Sequence, residues 1–217
     1  MAIGGAIGFY RLRMRPWMYS WGARDDELAA VLPGDELVEP GVPRTTRAVT
    51  IDAPVDAVWP WLAQIGEGRG GFYSYSLLEQ AVGADIHNAR SIHPEWQDIH
   101  VGDTVWLARR YGELARQMVA AVVPSSHLVL MSPEDYQRVR QGERASGAWA
   151  FHLRSENGQT RLIARGSGGA VGNAAFDIAH FVMERKMLCG IRDRAGDIRR
   201  RHEKSPASPQ PVTAPSS

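Results

Sequence analysis

The chain has 217 residues, of which 44% are hydrophobic and 23% charged, and its formal net charge is +1. This size and composition are typical of one globular domain with extensions, which can bury its own core without disulfides or metals. The small net charge gives no reason to expect nucleic acid as a partner. The single cysteine, Cys189, excludes an intrachain disulfide and fits a cytoplasmic location.

Residues 1–43 are predicted to form an N-terminal extension with one short helix, Arg24 to Leu32. The apolar run from Ala2 to Tyr10 is too short to span a bilayer. Arginines and aromatic residues follow it, a mixture that suits a membrane interface: Arg11, Arg13, Arg15, Trp17, Tyr19 and Trp21. We expect this segment to pack on the domain, and a weak contact with a membrane surface is the alternative.

The predicted main domain, residues 44–203, begins with a strand from Thr46 to Asp52, where apolar and polar residues alternate. Pro54 suits the start of a helix, which Pro60 should keep short or kink. A second short helix is predicted from Ser76 to Val82.

A two-residue period then predicts five strands that follow one another without helices: Thr104 to Arg109, Arg116 to Val123, His127 to Met131, Ala148 to Arg154 and Gln159 to Gly166. Asn157-Gly158 between the last two is a strong hairpin signal. Strands in direct succession predict an antiparallel sheet.

The last predicted element is a long helix from about Ala174 to His202, with an apolar face that includes Phe176, His180 and Met183. Residues 204–217 are rich in proline and are predicted to be disordered. The elements together predict an α+β fold with a curved antiparallel sheet of about six or seven strands. The sheet wraps around the long C-terminal helix, and two short helices follow the first strand. A cavity is expected between sheet and helix.

Four segments resemble the helix-grip domains of the START-like, or SRPBCC, superfamily, which includes polyketide cyclases and lipid-transfer domains. They are TIDAPVDAVWPWLAQIG at Thr50 to Gly66, GRGGFYS at Gly68 to Ser74, IHPEWQDIHVGDTV at Ile92 to Val105, and HFVMERKMLCGIRDRA at His180 to Ala195. The likeness is greatest to uncharacterised bacterial members and covers about Arg44 to Arg201. It implies a hydrophobic pocket under the long helix, in a group that contains both carriers and enzymes.

Polar side chains concentrate between Gln64 and Gln97, and we expect several of them to form one rim of the cavity: Arg69, Tyr73, Tyr75, His87, Asn88 and His93. Tyr73 and Tyr75 would point the same way in an extended segment. His180 and Met183 on the long helix and Trp106 and Trp149 on strands are the other predicted ligand-binding residues. Tyrosines and histidines can orient a ligand oxygen within an apolar pocket.

Metal and nucleotide sites are not expected. His87, His93 and His100 are six and seven residues apart, which matches no compact zinc pattern. Gly66-x-Gly68-x-x-Gly71 matches a dinucleotide fingerprint in letters, but it follows a predicted helix instead of a strand. No cofactor is therefore predicted.

The favoured function is the binding or carriage of a hydrophobic small molecule. The first alternative is a cofactor-free cyclase, dehydratase or hydrolase, with acid–base candidates His180, His87, His93 and Glu79. The second is a membrane-associated module that exchanges a lipid. The sequence leaves the ligand and the oligomeric state open.

Overall fold

The computed structural model describes residues 8–74 and 87–204, with side chains described up to residue 197. The six strands form one antiparallel sheet: β1 (Arg44–Ile51), β2 (Thr104–Trp106), β3 (Arg116–Val123), β4 (His127–Met131), β5 (Gly147–Glu156) and β6 (Gln159–Gly168). Their order across the sheet is β1-β6-β5-β4-β3-β2. The sheet is curved, as the sequence predicted, and it is open.

The helices are α1 (Arg15–Tyr19), α2 (Asp25–Ala29), α3 (Val55–Ala63), α4 (Pro133–Arg140) and α5 (Ala174–Lys204). A π-helical turn, Tyr10–Met14, precedes α1. The short α3 contains Pro60, and the long α5 ends the described chain, so both predictions are confirmed. The predicted helix from Ser76 to Val82 and the predicted disorder of residues 205–217 lie outside the described residues.

The expectation that the later strands follow one another without helices is wrong. A 3-10 segment, Arg109–Ala115, joins β2 to β3, and α4 joins β4 to β5. The signal for α4 lies in its first residues, because the Ser132 side chain accepts a hydrogen bond from the Asp135 backbone amide and Pro133 occupies the first turn. A serine cap followed by proline starts a helix whatever the period of the neighbouring strands.

The β5–β6 hairpin has its turn at Asn157 and Gly158, which both adopt positive φ angles of 52° and 79°. A two-residue turn of this kind matches the right-handed twist of paired strands, and asparagine and glycine tolerate the conformation. The hairpin predicted from this dipeptide is confirmed.

Alternation along the strands gives the sheet two buried faces. The concave face packs on α3 and α5 through a core that includes Leu130, Phe151 and Leu162 from the sheet and Leu188 and Ile191 from α5. The alternate side chains form the convex face. There the N-terminal extension covers the sheet, with two small clusters centred on Val38 and on Leu32. The extension therefore buries a face that would otherwise be exposed.

Two ion pairs join this extension to β6. Arg161 donates to both carboxylate oxygens of Glu27, at 2.6 and 2.8 Å, and Arg165 donates to Asp35 at 2.5 Å. Arg165 also donates to the backbone carbonyls of Glu27 and Ala30. Glu27 and Arg165 are 1% and 2% exposed, so these pairs are inside the protein.

Alpha-helix α1 places its aromatic residues on α5. The ring of Trp17 lies 5.0 Å from the ring of Phe181, and the Tyr19 hydroxyl donates to Asp177 at 2.7 Å. Arg15 lies 3.6 Å from the same carboxylate. These contacts show that this part of the N-terminal segment packs on the domain.

His152 on the convex face gives a pH-dependence prediction. His152 is 3% exposed, and within the described residues neither of its ring nitrogens has a hydrogen-bond partner. Burial, and then the nearby His127, lower the pKa of His152 to about 4; Arg165 and Arg154 also lower it, and Asp35 opposes them. A pKa below that of the unfolded chain means that unfolding takes up a proton, so stability is lost as the pH falls below about 6.5.

We expect this group alone to lower the free energy of unfolding by about 2 kcal/mol between pH 7 and pH 5. Urea unfolding of the wild type and of His152→Phe at both pH values measures the effect. The variant should lose less stability than the wild type over this interval. An identical loss in the two proteins would show that His152 does not titrate in this way.

Candidate functional site

A cavity of about 610 Å³ lies between the sheet and α5. Its walls come from the loop after α3, the β2–β3 connection, β3, the junction of β4 and α4, β5, β6 and the first four turns of α5. The lining residues include Ser74, Leu114, Gln117, Asp135, Trp149, Gly166, Phe176, His180, Met183, Glu184 and Met187. Most lining atoms are apolar. Leu114 and Phe176 are exposed at the rim, which places the mouth between the β2–β3 connection and the start of α5.

Three of the predicted ligand-binding residues line this cavity: Trp149, His180 and Met183. Trp149 is on the concave side of β5, and its ring lies 5.8 Å from that of His180. His180 also stacks on Phe176, with ring centroids 5.2 Å apart and an interplanar angle of 10°. The structure therefore brings the strand and helix candidates together.

A buried polar cluster formed by Arg47, Trp149, His180 and Glu184 lies at the inner end of these side chains; we call it the Arg47–Glu184 cluster. Arg47 Nη1 donates to Glu184 Oε2 at 2.6 Å and to His180 Nδ1 at 3.1 Å. Trp149 Nε1 donates to Glu184 Oε1 at 2.6 Å. Both side chains of the ion pair are 0% exposed. Every charge-bearing group of this cluster therefore has an oppositely charged or hydrogen-bonding partner.

The protonation state of the cluster follows from these donors. Burial acts to raise the pKa of Glu184, but His180, Arg47 and the Trp149 N–H together hold it below its usual range. Burial lowers the pKa of His180, and Arg47 lowers it further against the opposing effect of Glu184. Glu184 is thus ionised and His180 neutral near pH 7. Because Arg47 can only donate, Nδ1 of His180 accepts and its proton lies on Nε2.

Arg47 and Glu184 were not among the predicted site residues, although the sequence carries a signal for each. Arg47 is two residues before Val49 and four before Ile51 on β1, so it shares their inward face with these two apolar core residues. Glu184 follows His180 by four residues, which places it on the same face of α5. A charged residue at a core position requires a partner, and Arg47 and Glu184 are partners of each other.

The predicted polar rim has a different place in the structure. Arg69 and Tyr73 do not line the cavity, and they support the loop after α3. Arg69 Nη2 donates to the carbonyls of Trp96 and Ala63, at 2.6 and 3.2 Å. The Tyr73 hydroxyl donates to the Trp61 carbonyl at 2.9 Å, and Tyr73 is 1% exposed. The φ of Tyr73 is 56°, so the extended conformation expected there is wrong.

Asn88 and His93 also lie outside the cavity lining. Asn88 Oδ1 accepts from the Tyr73 backbone amide, and its Nδ2 donates to the Ser74 carbonyl at 3.3 Å. His93 stacks on Trp96 at 4.2 Å and contacts Glu95 at 3.1 Å. These contacts order the connection that precedes β2.

The remaining candidates are His87, Trp106, Tyr75 and Glu79. His87 is exposed and Trp106 half-buried beneath Arg109, and neither lines the cavity. Tyr75 and Glu79 lie outside the described residues. Within those residues, no group of three or more histidine, cysteine, aspartate or glutamate side chains could hold a metal ion. In the same part of the chain, every helix is too short or too polar to cross a membrane.

No family model matches the chain, and no curated protein matches it. Its structure is similar to protein NE0264 from Nitrosomonas europaea, with 12% identity, a TM-score of 0.45, and coverage of 74% of this chain and 98% of the other. Protein EF2215 of unknown function from Enterococcus faecalis gives 14% identity, a TM-score of 0.40, and coverage of 70% and 71%. DynU16, from the dynemicin biosynthetic locus, gives 12%, 0.35, and coverage of 67% and 46%. At these identities and TM-scores no family membership or shared activity follows.

Proposed function

We propose that this protein binds or carries a hydrophobic small molecule in the cavity between the sheet and α5. The observation that carries the proposal is the cavity itself, about 610 Å³ with mostly apolar walls. Ligand sites are typically clefts of this size with a few convergent polar groups. The resemblance of four sequence segments to START-like domains supports the same function.

The polar group best placed to orient a ligand is Nε2 of His180. Its side chain is 21% exposed, while the Arg47 and Glu184 side chains behind it are 0% exposed. Since Nδ1 accepts from Arg47, the Nε2–H is the end of the ring that can donate to a ligand oxygen.

The same geometry favours binding over acid–base catalysis. To act as a base through Nε2, His180 would first have to move its proton to Nδ1, where Arg47 already donates. As an imidazolium it would carry hydrogen on both nitrogens and lose the bond from Arg47. His180 is therefore a hydrogen-bond donor, and the cofactor-free enzyme is the weaker candidate.

A larger side chain inside the cavity should weaken ligand binding. We expect Met183→Trp to weaken the binding of the neutral fluorescent probe N-phenyl-1-naphthylamine by about tenfold or more, because the added ring occupies the space that the probe needs. Fluorescence titration gives the Kd. Mass spectrometry of molecules that co-purify with the wild type then identifies the natural ligand.

Ala179→Trp is the matched control, since it places the same side chain on the same helix at an exposed position outside the lining. This control should bind the probe like the wild type, and thermal unfolding should show that both variants are folded. Equal binding by Met183→Trp and the wild type would rule out this cavity as the site. Conversion of the co-purified molecule into a product would favour the enzyme instead.

A second candidate function is attachment to a membrane surface, which would bring the cavity to its lipid. The observation that favours it is a group of exposed apolar side chains before and within α1: Phe9 is 64% exposed, Leu12 78% and Trp17 54%. Arg11 and Arg13 are exposed beside them. Apolar residues flanked by arginines are typical of helices that lie in the interface of anionic membranes.

Flotation with vesicles of phosphatidylcholine and phosphatidylserine tests this attachment. We expect Leu12→Ser to reduce the vesicle partition coefficient by about tenfold, which corresponds to the free energy of burying one leucine. Val31→Ser is the control, because Val31 is 85% exposed and lies outside this segment. Equal losses in the two variants, or no flotation of the wild type, would contradict the membrane function.

A further inference from the structure

The two acidic side chains of the cavity wall already have partners inside the protein. The side chain of Glu184 is 0% exposed, and both of its oxygens accept hydrogen bonds within the Arg47–Glu184 cluster. Asp135 is 7% exposed; its Oδ1 accepts from the Ser146 amide at 2.6 Å, and its Oδ2 accepts from the hydroxyls of Ser132 and Ser146. Neither carboxylate is therefore available to pair with a cation on a ligand.

The described part of the lining offers no partner for an anion either, because none of its residues is a lysine or arginine. Arg47 lies outside the lining, its side chain is 0% exposed, and it donates to Glu184 and to the Met18 carbonyl. A charged group of either sign on a bound ligand would lose its water and gain no opposite charge from these walls, which is costly. The described walls therefore favour an uncharged ligand.

One polar group of the wall keeps a hydrogen available for a ligand. The His180 side chain is 21% exposed, and its Nε2 lies 3.7 Å from Glu184 Oε1, too far for a hydrogen bond. Its Nδ1 accepts from Arg47, so the proton is on Nε2, and this N–H can donate but cannot accept. The rings of Trp149 and Phe176 lie beside it. A ligand atom next to Nε2 therefore meets a donor flanked by aromatic rings, and only an acceptor forms a bond there.

We propose that the cavity binds uncharged molecules whose polar group accepts a hydrogen bond, such as a ketone or an ester, and that it discriminates against ligands of both charges. The carbonyl oxygen accepts from His180 Nε2–H, and the remainder of the molecule contacts the apolar walls. A carboxylate can accept the same bond, but its charge stays without a partner. An ammonium group cannot accept at all. This inference rests on the proposed binding function and specifies its ligand class.

Competition at pH 7 against N-phenyl-1-naphthylamine tests the selection by charge with rigid ligands that share one ring system. The ligands are 2-acetylnaphthalene, which is an uncharged ketone, 2-naphthoate, which is an anion, and 1-(2-naphthyl)ethylamine, which is a cation at this pH. We expect the ketone to bind about tenfold more tightly than either ion, because each ion loses its water without gaining an opposite charge.

His180→Phe tests the donor. The hydrocarbon 2-isopropylnaphthalene has nearly the shape of 2-acetylnaphthalene but no acceptor, so the ratio of their two affinities reports the hydrogen bond. We expect the affinity of the ketone relative to the hydrocarbon to fall about fivefold in His180→Phe, which corresponds to about 1 kcal/mol. His100→Phe is the matched control, because it makes the same exchange at an exposed histidine outside the lining, and it should keep the wild-type ratio.

Three results would contradict the proposals, and they are distinguishable. An unchanged ratio in His180→Phe overturns the role of the donor. An ion that binds as tightly as the ketone overturns the selection for uncharged ligands; in both cases the probe still binds and the proposed function stands. Absence of binding by the probe and by all four ligands overturns the proposed function itself. If thermal unfolding shows that His180→Phe is not folded, the wild-type comparison of ketone, anion and cation decides the ligand class.

Discussion

Replacing Glu27 with methionine is expected to lower the free energy of unfolding by about 3–5 kcal/mol, because it leaves the charge of Arg161 buried without its partner. Glu27 is 1% exposed and accepts two hydrogen bonds from Arg161, one on each carboxylate oxygen. Burial acts to raise the pKa of Glu27, but Arg161 and the Arg24 backbone amide hold it below its usual value. Urea unfolding at pH 7 measures the loss.

Two further variants compare the stability contributed by the buried Glu27–Arg161 pair with that of a partly exposed ion pair. The double variant Glu27→Met with Arg161→Met should recover most of the lost stability, since an apolar pair of similar volume avoids the desolvation of both charges. Glu156→Gln removes the partly exposed partner of Arg24 and should cost less than about 1 kcal/mol. A double variant as unstable as Glu27→Met alone would show that packing, and not charge, explains the loss.

Arg47→Met is the second variant with a large expected effect, about 3–5 kcal/mol at pH 8. Arg47 is the cation of the Arg47–Glu184 cluster, and without it Glu184 has only the Trp149 N–H and the neutral His180 beside it. The pKa of Glu184 should then rise above that of the unfolded chain. A raised carboxyl pKa contributes stability at low pH that is lost as the pH increases, so the difference between variant and wild type should be smaller at pH 5 than at pH 8.

Urea unfolding at both pH values provides this comparison. Arg44→Met is the control, because Arg44 pairs with Asp35 at 3.6 Å and its side chain is 36% exposed, so it should cost about 1 kcal/mol or less. A difference between Arg47→Met and the wild type that stays constant from pH 5 to pH 8 would show that Glu184 does not take up a proton when Arg47 is removed.

Local sequence patterns predicted the secondary structure correctly where it depends on neighbouring residues. The hairpin at Asn157-Gly158 depends on two positive φ angles that these residues adopt readily, and the bounds of β3 and β4 follow from alternation. The same reasoning missed α4, because its serine cap and proline lie directly after a strand. The missed element shows that a serine cap and a following proline can start a helix directly after a strand.

The structure separates the predicted site residues into two groups. Trp149, His180 and Met183 line one cavity, whereas Arg69 and Tyr73 stabilise the loop beside it. A dense run of polar side chains predicts many hydrogen bonds but does not show whether their partners are ligand atoms or backbone carbonyls. In this connection the described partners are mainly carbonyls, since an irregular segment inside the protein must satisfy its own backbone.

The amino-acid sequence by itself determined the succession of strands, the hairpin, the long final helix and the α+β class, because each follows from the period and caps of adjacent residues. Only the tertiary structure decided which charges meet. Arg47 and Glu184 are 137 residues apart, and Glu27 and Arg161 are 134 apart. A charged residue at a buried position of the sequence indicates that a partner exists. The sheet register and the position of α5 decide which residue that partner is.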